Sequence, residues 1–228
     1  MELIGAGRVT VGGALAEKPA RLVAPADAIV VQGPARRYVS RGGEKLAAGL
    51  DSFGVDVEGR RALDAGASTG GFTDCLLQRG AREVVAVDVG YGQLHERLRG
   101  DTRVDLRERT NVRTLDAAAI GGPVDLVVAD LSFISLRSVA PALLACANAG
   151  ADLVLLVKPQ FEAGRAEASR GRGVIRDPEV RARVLEEVCG ALTDLGAAIM
   201  GTMESPLKGA DGNVELLLHA RNDTREAE

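Results

Sequence analysis

The sequence predicts an α/β fold, a mainly parallel sheet with helices on both faces. Three observations predict it. The apolar run Ala62-Leu63-Asp64-Ala65 contains an acid near its end, and the glycine-rich turn Gly66-Ala67-Ser68-Thr69-Gly70-Gly71 separates it from a helical pattern at Phe72 to Leu77. One strand–helix repeat later, Val84-Val85-Ala86-Val87-Asp88 ends a second apolar run in an acid. Beyond it, apolar runs and helical patterns alternate nearly to the C-terminus, as in sheets covered on both sides.

The first turn carries the strongest hint of a ligand. Glycines let the backbone turn sharply and let a ligand approach the main chain. The free N–H groups that open the next helix would face that ligand. An acid ending the second strand, here Asp88, is where nucleotide-binding units hold a ribose diol. A tight strand–helix turn without a ligand would use the same residues.

Composition narrows the classes. A chain of 228 residues, 46% hydrophobic, is long enough for one full domain and a small addition. No apolar run approaches the roughly 18 residues of a transmembrane helix. The start, Met1-Glu2-Leu3-Ile4-Gly5, lacks the basic and apolar regions of a signal peptide. Three distant cysteines, Cys75, Cys146 and Cys189, argue against a disulfide framework and for the cytoplasm. Two histidines, His95 and His219, without close Cys/His pairs, argue against a metal site. The net charge of −4 disfavours a nucleic-acid partner when read globally, although the footprint of such a partner is local. With no Trp and 3% aromatics, a stacking platform of many rings is not expected.

In chain order, residues 1–33 read as a small β-hairpin module. Arg8-Val9-Thr10-Val11-Gly12-Gly13-Ala14 alternates and turns, and Ala28-Ile29-Val30-Val31-Gln32 is another short strand. Residues 34–40 form a basic linker containing Arg36 and Arg37. Ser40 is a candidate cap for a helix running to about Phe53, on which Leu46, Leu50 and Phe53 share a buried face and Lys45 lies beside it. Strands are expected at 61–65, 83–88, 104–107, 124–130, 152–158, 197–203 and 213–220, and helices at 71–79, 91–99, 134–148 and 177–195. Ligands of such sheets bind outside the carboxyl ends of the strands. Residues 221–228 are a polar tail.

Charged residues at strand ends supply candidate chemistry. Asp130 ends the run Val124 to Ala129, and Lys158 ends Leu153 to Val157. Neighbouring strands lie about 4.8 Å apart, which would bring the two into hydrogen-bond reach; a plain strand-end salt bridge would look the same. Glu215 opens the apolar run Leu216-Leu217-Leu218 and needs a partner if it faces inward. The long loop after Lys158 holds Arg165, Arg170, Arg172 and Arg176, which with Arg36, Arg37 and Arg41 could form a phosphate-binding rim. No Gly-Lys-Ser/Thr of a phosphate-binding P-loop occurs. Ser68 lacks the glycine frame of a nucleophile elbow, and neither histidine receives a role.

Ordered motifs across the chain carry a resemblance. They are Ser40-Arg41-Gly42-Gly43-Glu44-Lys45-Leu46, the glycine-rich stretch 64–73, Asp88-Val89-Gly90-Tyr91-Gly92-Gln93-Leu94 and Glu108-Arg109-Thr110-Asn111-Val112-Arg113. Ala129-Asp130-Leu131-Ser132-Phe133-Ile134-Ser135-Leu136, Val157-Lys158-Pro159-Gln160-Phe161-Glu162, Ser205-Pro206-Leu207-Lys208-Gly209 and Gly212-Asn213-Val214-Glu215 complete them. Together they resemble the TlyA (haemolysin A-like) family of S-adenosylmethionine-dependent ribosomal RNA 2′-O-methyltransferases. The resemblance implies a Rossmann-like, seven-stranded methyltransferase fold, with an FtsJ-like domain over 41–220. It places the Lys-Asp-Lys-Glu tetrad of that wider class on Lys45, Asp130, Lys158 and Glu215. It implies S-adenosylmethionine contacts from Asp64, Gly66, Ser68, Gly70, Gly71, Phe72, Asp88, Asn111 and Asp130, with Asp88 on the ribose and Asn111 near the adenine. Leu3-Ile4-x-Ala6-Gly7-Arg8-Val9-x-Val11-x-Gly13, then Lys18-Pro19 and Asp27-x-Ile29-x-Val31, resemble the second half of the RNA-binding domain of ribosomal small-subunit protein S-four. The chain is expected to start near the end of that domain's second helix. The RNA-facing residues implied are Arg8, Arg36, Arg37, Arg41, Arg165, Arg170 and Arg172, and the expected partner is ribosomal RNA, with cytidine the expected nucleotide, within a ribosomal subunit.

The chemistry expected is in-line methyl transfer to a ribose 2′-hydroxyl, with Lys158 as the base or steering group and the two acids orienting the lysines. A lysine acting as base needs a lowered pKa, which burial or nearby Lys45 would favour. Competing classes are a methyltransferase of small molecules or proteins, a non-catalytic RNA-binding module and a membrane-active haemolysin. The basic rim speaks against the first and the complete tetrad against the second. No strongly basic amphipathic helix supports the third. A nicotinamide dehydrogenase would prefer Gly-x-Gly-x-x-Gly, from which the first turn departs.

Overall fold

The computed structural model describes residues 2–5, 7–33, 37–164, 167 and 171–223, and the chain divides into two units, Met1–Arg36 and Arg37–Glu228. Arg36, Arg165 and Arg170, expected at the basic rim, lie outside the described residues.

The smaller unit holds the short helix α1 (Glu2–Gly5) and strands β1 (Val9–Val11), β2 (Ala14–Leu15) and β3 (Ile29–Val31). The strands form an antiparallel sheet in the order β2-β1-β3. Its core is small: Val9, Val11 and Ala16 are buried, with Leu3 and Ile4 against them. Arg8 folds back on its own sheet, its Nε donating to the Gln32 carbonyl at 2.6 Å.

The larger unit is built on a seven-stranded sheet. Its strands are β4 (Arg61–Ala65), β5 (Glu83–Val87), β6 (Val104–Arg107), β7 (Val124–Ala129), β8 (Ala147–Val157), β9 (Ala197–Glu204) and β10 (Leu216–Asn222), in the order β6-β5-β4-β7-β8-β10-β9. The first five are parallel, and β10 runs antiparallel to both β8 and β9. The helices are α2 (Arg41–Phe53), α3 (Gly71–Gln78), α4 (Glu96–Arg99), α5 (Leu136–Ala145), α6 (Pro159–Glu162) and α7 (Pro178–Asp194).

Alternation along the strands makes two cores. Ala62, Val84, Leu126, Val128, Val154 and Leu156 pack with Leu46 and Leu50 of α2 and Leu76 of α3. Their neighbours Leu63, Val85, Val127, Leu153 and Leu155 pack with Leu143 of α5 and Val188 of α7 on the other face. Strands buried on both faces need side chains apolar in both directions, hence the unbroken runs of the sequence.

Helix α2 starts where Ser40 caps it, its hydroxyl accepting from the Gly42 N–H, and stops at Gly54 in the left-handed region. One expected helix is much shorter than the pattern indicates. Of 91–99 only Glu96–Arg99 is helical, because Asp88 draws in the Gly90 N–H and Gly92 adopts φ +73°. Residues 88–94 therefore form a loop at the sheet edge. The helix expected over 134–148 spans Leu136–Ala145, and β8 begins two residues later. Glu162 sets its start by accepting from the Leu136 N–H and the Ser135 hydroxyl, both at 2.5 Å.

Candidate active site

The carboxyl ends of β4, β5 and β7 open on a cavity of about 520 Å³. Of the expected cofactor set, Gly66, Ser68, Asp88, Asn111 and Asp130 line it. Gly66 has φ +91°, and a Cβ there would stand 2.6 Å from the Asp130 carbonyl oxygen, so the turn needs a residue without one. Asp88 is held by two backbone donors, Ser68 N–H at 2.8 Å and Gly90 N–H at 2.7 Å. Its carboxylate is thereby aimed while retaining lone pairs for a ligand hydroxyl. Asn111 accepts from the Arg113 N–H at 3.0 Å.

Four residues of the expected cofactor set do not line the cavity. Phe72 is buried in the α2–α3 core. Gly70 and Gly71 make room for packing, the first against Leu94 and Leu98, the second against Ser40 and the start of α2. Asp64 is fully buried and accepts from the Thr73 hydroxyl at 2.6 Å. Burial pushes its carboxyl up to about 7, with the hydrogen bond from Thr73 opposing and the Asp130 charge adding to the rise.

The tetrad residues form two lysine–carboxylate pairs. Lys158 Nζ lies 2.6 Å from Asp130 Oδ1 and donates to the Ser132 hydroxyl at 2.9 Å. Asp130 Oδ1 takes no hydrogen bond among the described residues, so its contact with Lys158 is one of charge at an angle outside hydrogen-bond geometry. Lys45 Nζ donates to Glu215 Oε2 at 2.5 Å, and both are buried. The register of the sheet makes these pairs neighbours. Val157 of β8 stands opposite Leu216 of β10, and Lys158 and Glu215 are the next residue on each chain. Gly42, in the first turn of the helix that carries Lys45, lies under the Asp130 carboxylate, with room for a Cβ 3.7 Å from Oδ2.

The structure adds residues that sequence reasoning passed over. Phe133 lines the cavity, is 91% exposed and adopts φ +64°. Its ring meets that of Phe161 at 5.1 Å. Leu131 and Ile134 supply apolar wall, and Thr110 and Gln93 polar wall. Phe133 belongs to a quoted motif, but an exposed aromatic in the left-handed region leaves no periodic signal. Of the expected basic residues, Arg37 stacks over Tyr38 at 5.2 Å, Arg41 opens α2 and Arg172 is exposed with φ +52°. His219 is a buried partner of Asp152 at 2.8 Å, and His95 caps α4. Among the described residues no group of His, Cys, Asp or Glu could hold a metal, and no helix is long and apolar enough to cross a membrane.

These residues suit a nucleoside-bearing cation. Two carboxylates, those of Asp88 and Asp130, line a cavity with apolar walls, and a glycine lets a ligand lie on the backbone. That combination, at the carboxyl edge of a parallel sheet completed by an antiparallel strand, defines the class as a Rossmann-like methyltransferase. The fold of an N-methyltransferase from Bradyrhizobium japonicum, solved with S-adenosylhomocysteine, agrees: TM-score 0.56 at 18% identity, covering 81% of this chain and 86% of that one.

The particular family follows from sequence comparison. Residues 38–222 match the FtsJ-like methyltransferases. The chain is 55% identical over 227 residues to the 16S/23S rRNA (cytidine-2′-O)-methyltransferase TlyA of Mycobacterium tuberculosis, covering 99% of this chain and 84% of that protein. It is 42% identical to Hemolysin A of Brachyspira hyodysenteriae, covering 96% and 90%. The chain belongs to the FtsJ-like methyltransferase family, in its TlyA branch, and its methyl donor is S-adenosylmethionine.

Proposed function

We propose that the protein methylates the ribose 2′-oxygen of a cytidine in ribosomal RNA, presented within a ribosomal subunit in the cytoplasm. The observation that carries this reading is the pairing of Lys158 with Asp130 at the rim of the cavity, beside the buried pair Lys45–Glu215. Gly66, Ser68, Asp88, Asn111 and Asp130 hold the cofactor, which supplies a methyl group activated on a sulfonium sulfur.

The protein's own groups then do two things. They align the hydroxyl with the methyl carbon, and they take its proton. Lys158 is the group for the proton. Asp130 and the Ser132 hydroxyl hold its Nζ. S-adenosylmethionine would supply the methyl group and leave as its neutral thioether, while Lys158 Nζ would stand at the 2′-hydroxyl as its base or steering group. Lys45 and Glu215 brace this edge of the sheet by joining α2 to the start of β10.

An RNA substrate is supported by three further features. Phe133 offers an exposed ring at the cavity, on which a base can stack. Arg37, Arg41 and Arg172, with Arg36, Arg165 and Arg170 in sequence, supply cations for the backbone. Residues 1–33, with Arg8, resemble part of an S-four-type RNA-binding domain and serve as an RNA-facing module, joined through the basic segment 34–40 to the catalytic domain 41–220, with 221–228 a polar tail.

The test is transfer of labelled methyl from S-adenosylmethionine to isolated ribosomal subunits. Wild type is expected to label ribosomal RNA on a ribose, and Lys158→Ala is expected to bind S-adenosylmethionine without transferring. Full turnover by Lys158→Ala would remove Lys158 from the mechanism. Label on protein alone would remove RNA as the substrate.

A further inference from the structure

Most arginines of the larger unit already have an acid. Arg60, Arg79, Arg97, Arg103, Arg137 and Arg183 each lie within ion-pair distance of a carboxylate. Arg37 and Arg109 lie over tyrosine rings instead, and four of the remaining cations share one region. Arg172, Arg176, Arg181 and Lys208 have no side-chain hydrogen bond or ion pair to any described residue. They come from three separate segments, and they converge.

Arg176, Arg181 and Lys208 line one groove of about 450 Å³, with Ile175 and Val214 as apolar wall. Arg172 and Arg176 line an adjoining groove. Asp211 is the acid common to both linings. Cations gathered around one carboxylate repel each other, and the arrangement is favourable when a ligand brings negative charge. Guanidinium groups match phosphate oxygens in geometry as well as charge.

The groove is built rather than incidental. Asn213, 1% exposed, ties its walls together. The Asn213 Oδ1 accepts from the Ile175 N–H at 2.9 Å, and its Nδ2 donates to the Gly173 carbonyl at 2.8 Å. The loop bearing Arg172 and Arg176 is thereby fastened to the segment bearing Lys208 and Asp211. The Asn213 carbonyl in turn accepts from the Gly209 N–H at 2.9 Å. The same segment continues through Val214, a groove residue, into Glu215 of the buried pair. Asp211 at the groove and Glu215 of the tetrad are therefore four residues apart along one stretch of chain.

We infer that this groove is a phosphodiester subsite, taking the backbone of the RNA that presents its ribose to Lys158. The inference rests on the RNA reading above and adds Arg176, Arg181 and Lys208 as its phosphate contacts. Arg176 and Lys208 are exposed, so both can be replaced without disturbing the core.

The experiment measures binding of wild type and Arg176→Ala/Lys208→Ala to ribosomal subunits across a salt series, with S-adenosylmethionine binding and methyl transfer alongside. Each lost phosphate contact lowers the slope of log affinity against log salt by about one. The double variant is expected to lose about two units of slope, raise KM for the subunit, keep kcat at saturation and bind S-adenosylmethionine as wild type does. Arg183→Ala, whose charge is already taken by Glu167 and Glu187, is expected to keep the full slope. If wild type methylates RNA and the double variant keeps its slope and KM, the groove falls and the RNA reading stands. If wild type transfers no methyl to RNA, both fall together.

Discussion

Lys45–Glu215 and Lys158–Asp130 are the same chemical pair in different surroundings. In the first, the lysine and carboxylate side chains are 9% and 3% exposed; in the second, 11% and 24%. The first is closed. Its hydrogen bond is short, and a Cβ on Gly209 would press on the Glu215 carboxylate at 2.6 Å. The second has an aspartate on the cavity wall and a lysine shared with Ser132. Burial with full pairing makes a clamp, whereas partial exposure beside a cavity leaves charge available for a reacting group.

Breaking each pair should therefore give opposite profiles. Lys158→Ala is expected to lower methyl transfer by about 10²–10⁴-fold, the usual contribution of a positioned proton acceptor, with a thermal midpoint close to wild type. Single-turnover transfer under saturating cofactor checks it. Glu215→Ala leaves a buried lysine without a partner, which costs about 3–5 kcal/mol, so denaturant unfolding should register the loss directly. The companion variant Lys45→Met/Glu215→Leu should recover most of that stability and, with it, most of the transfer. A stable double variant that transfers no methyl would give the inner pair a part in the chemistry beyond bracing.

Phe133 sharpens the same contrast on the substrate side. Its ring is almost wholly exposed, so Phe133→Ala should hardly move stability. If it stacks a base, truncation removes about 1–3 kcal/mol of RNA interaction, read as weaker binding of ribosomal subunits with unchanged S-adenosylmethionine affinity. Unchanged RNA binding would leave Phe133 as cavity wall only.

Asp64 tests burial itself. Its carboxyl is held up at about 7 by burial, against about 3.9 in an unfolded chain. The folded state therefore holds the extra proton between those values, and this contribution to stability is full below about pH 4 and is lost as pH rises through about 7. Asp64→Asn should flatten that part of the stability–pH curve while leaving the cavity intact. An unaltered curve would mean that Asp64 is ionised in the fold.

The order of strands and helices was legible because burial on both faces demands unbroken apolar runs, and helices demand a turn-spaced apolar face. The strand-end positions of Asp130, Lys158 and Asp88 followed from where those runs stop. Lys45 was different. On α2 it reads as an ordinary surface lysine, and only the family resemblance singled it out. Its partner lies 170 residues away, a separation across which local pattern carries no information. The shortening of the helix at 91–99 was equally hidden, since the Leu94/Leu98 spacing is helical but Asp88 captures the Gly90 N–H first.

By itself, then, the sequence determined the layers, the carboxyl edge and the glycine turn, because these depend on side-chain polarity and backbone freedom close at hand. The tertiary structure alone decided which acid meets which lysine, that Asp64 and Phe72 are buried while Phe133 is presented, and that cations from three segments share one groove. Those outcomes depend on the pairing of β10 with β8 and on loops fastened by a single buried asparagine. Ion pairing and burial act through distance in space, and only the folded chain sets that distance.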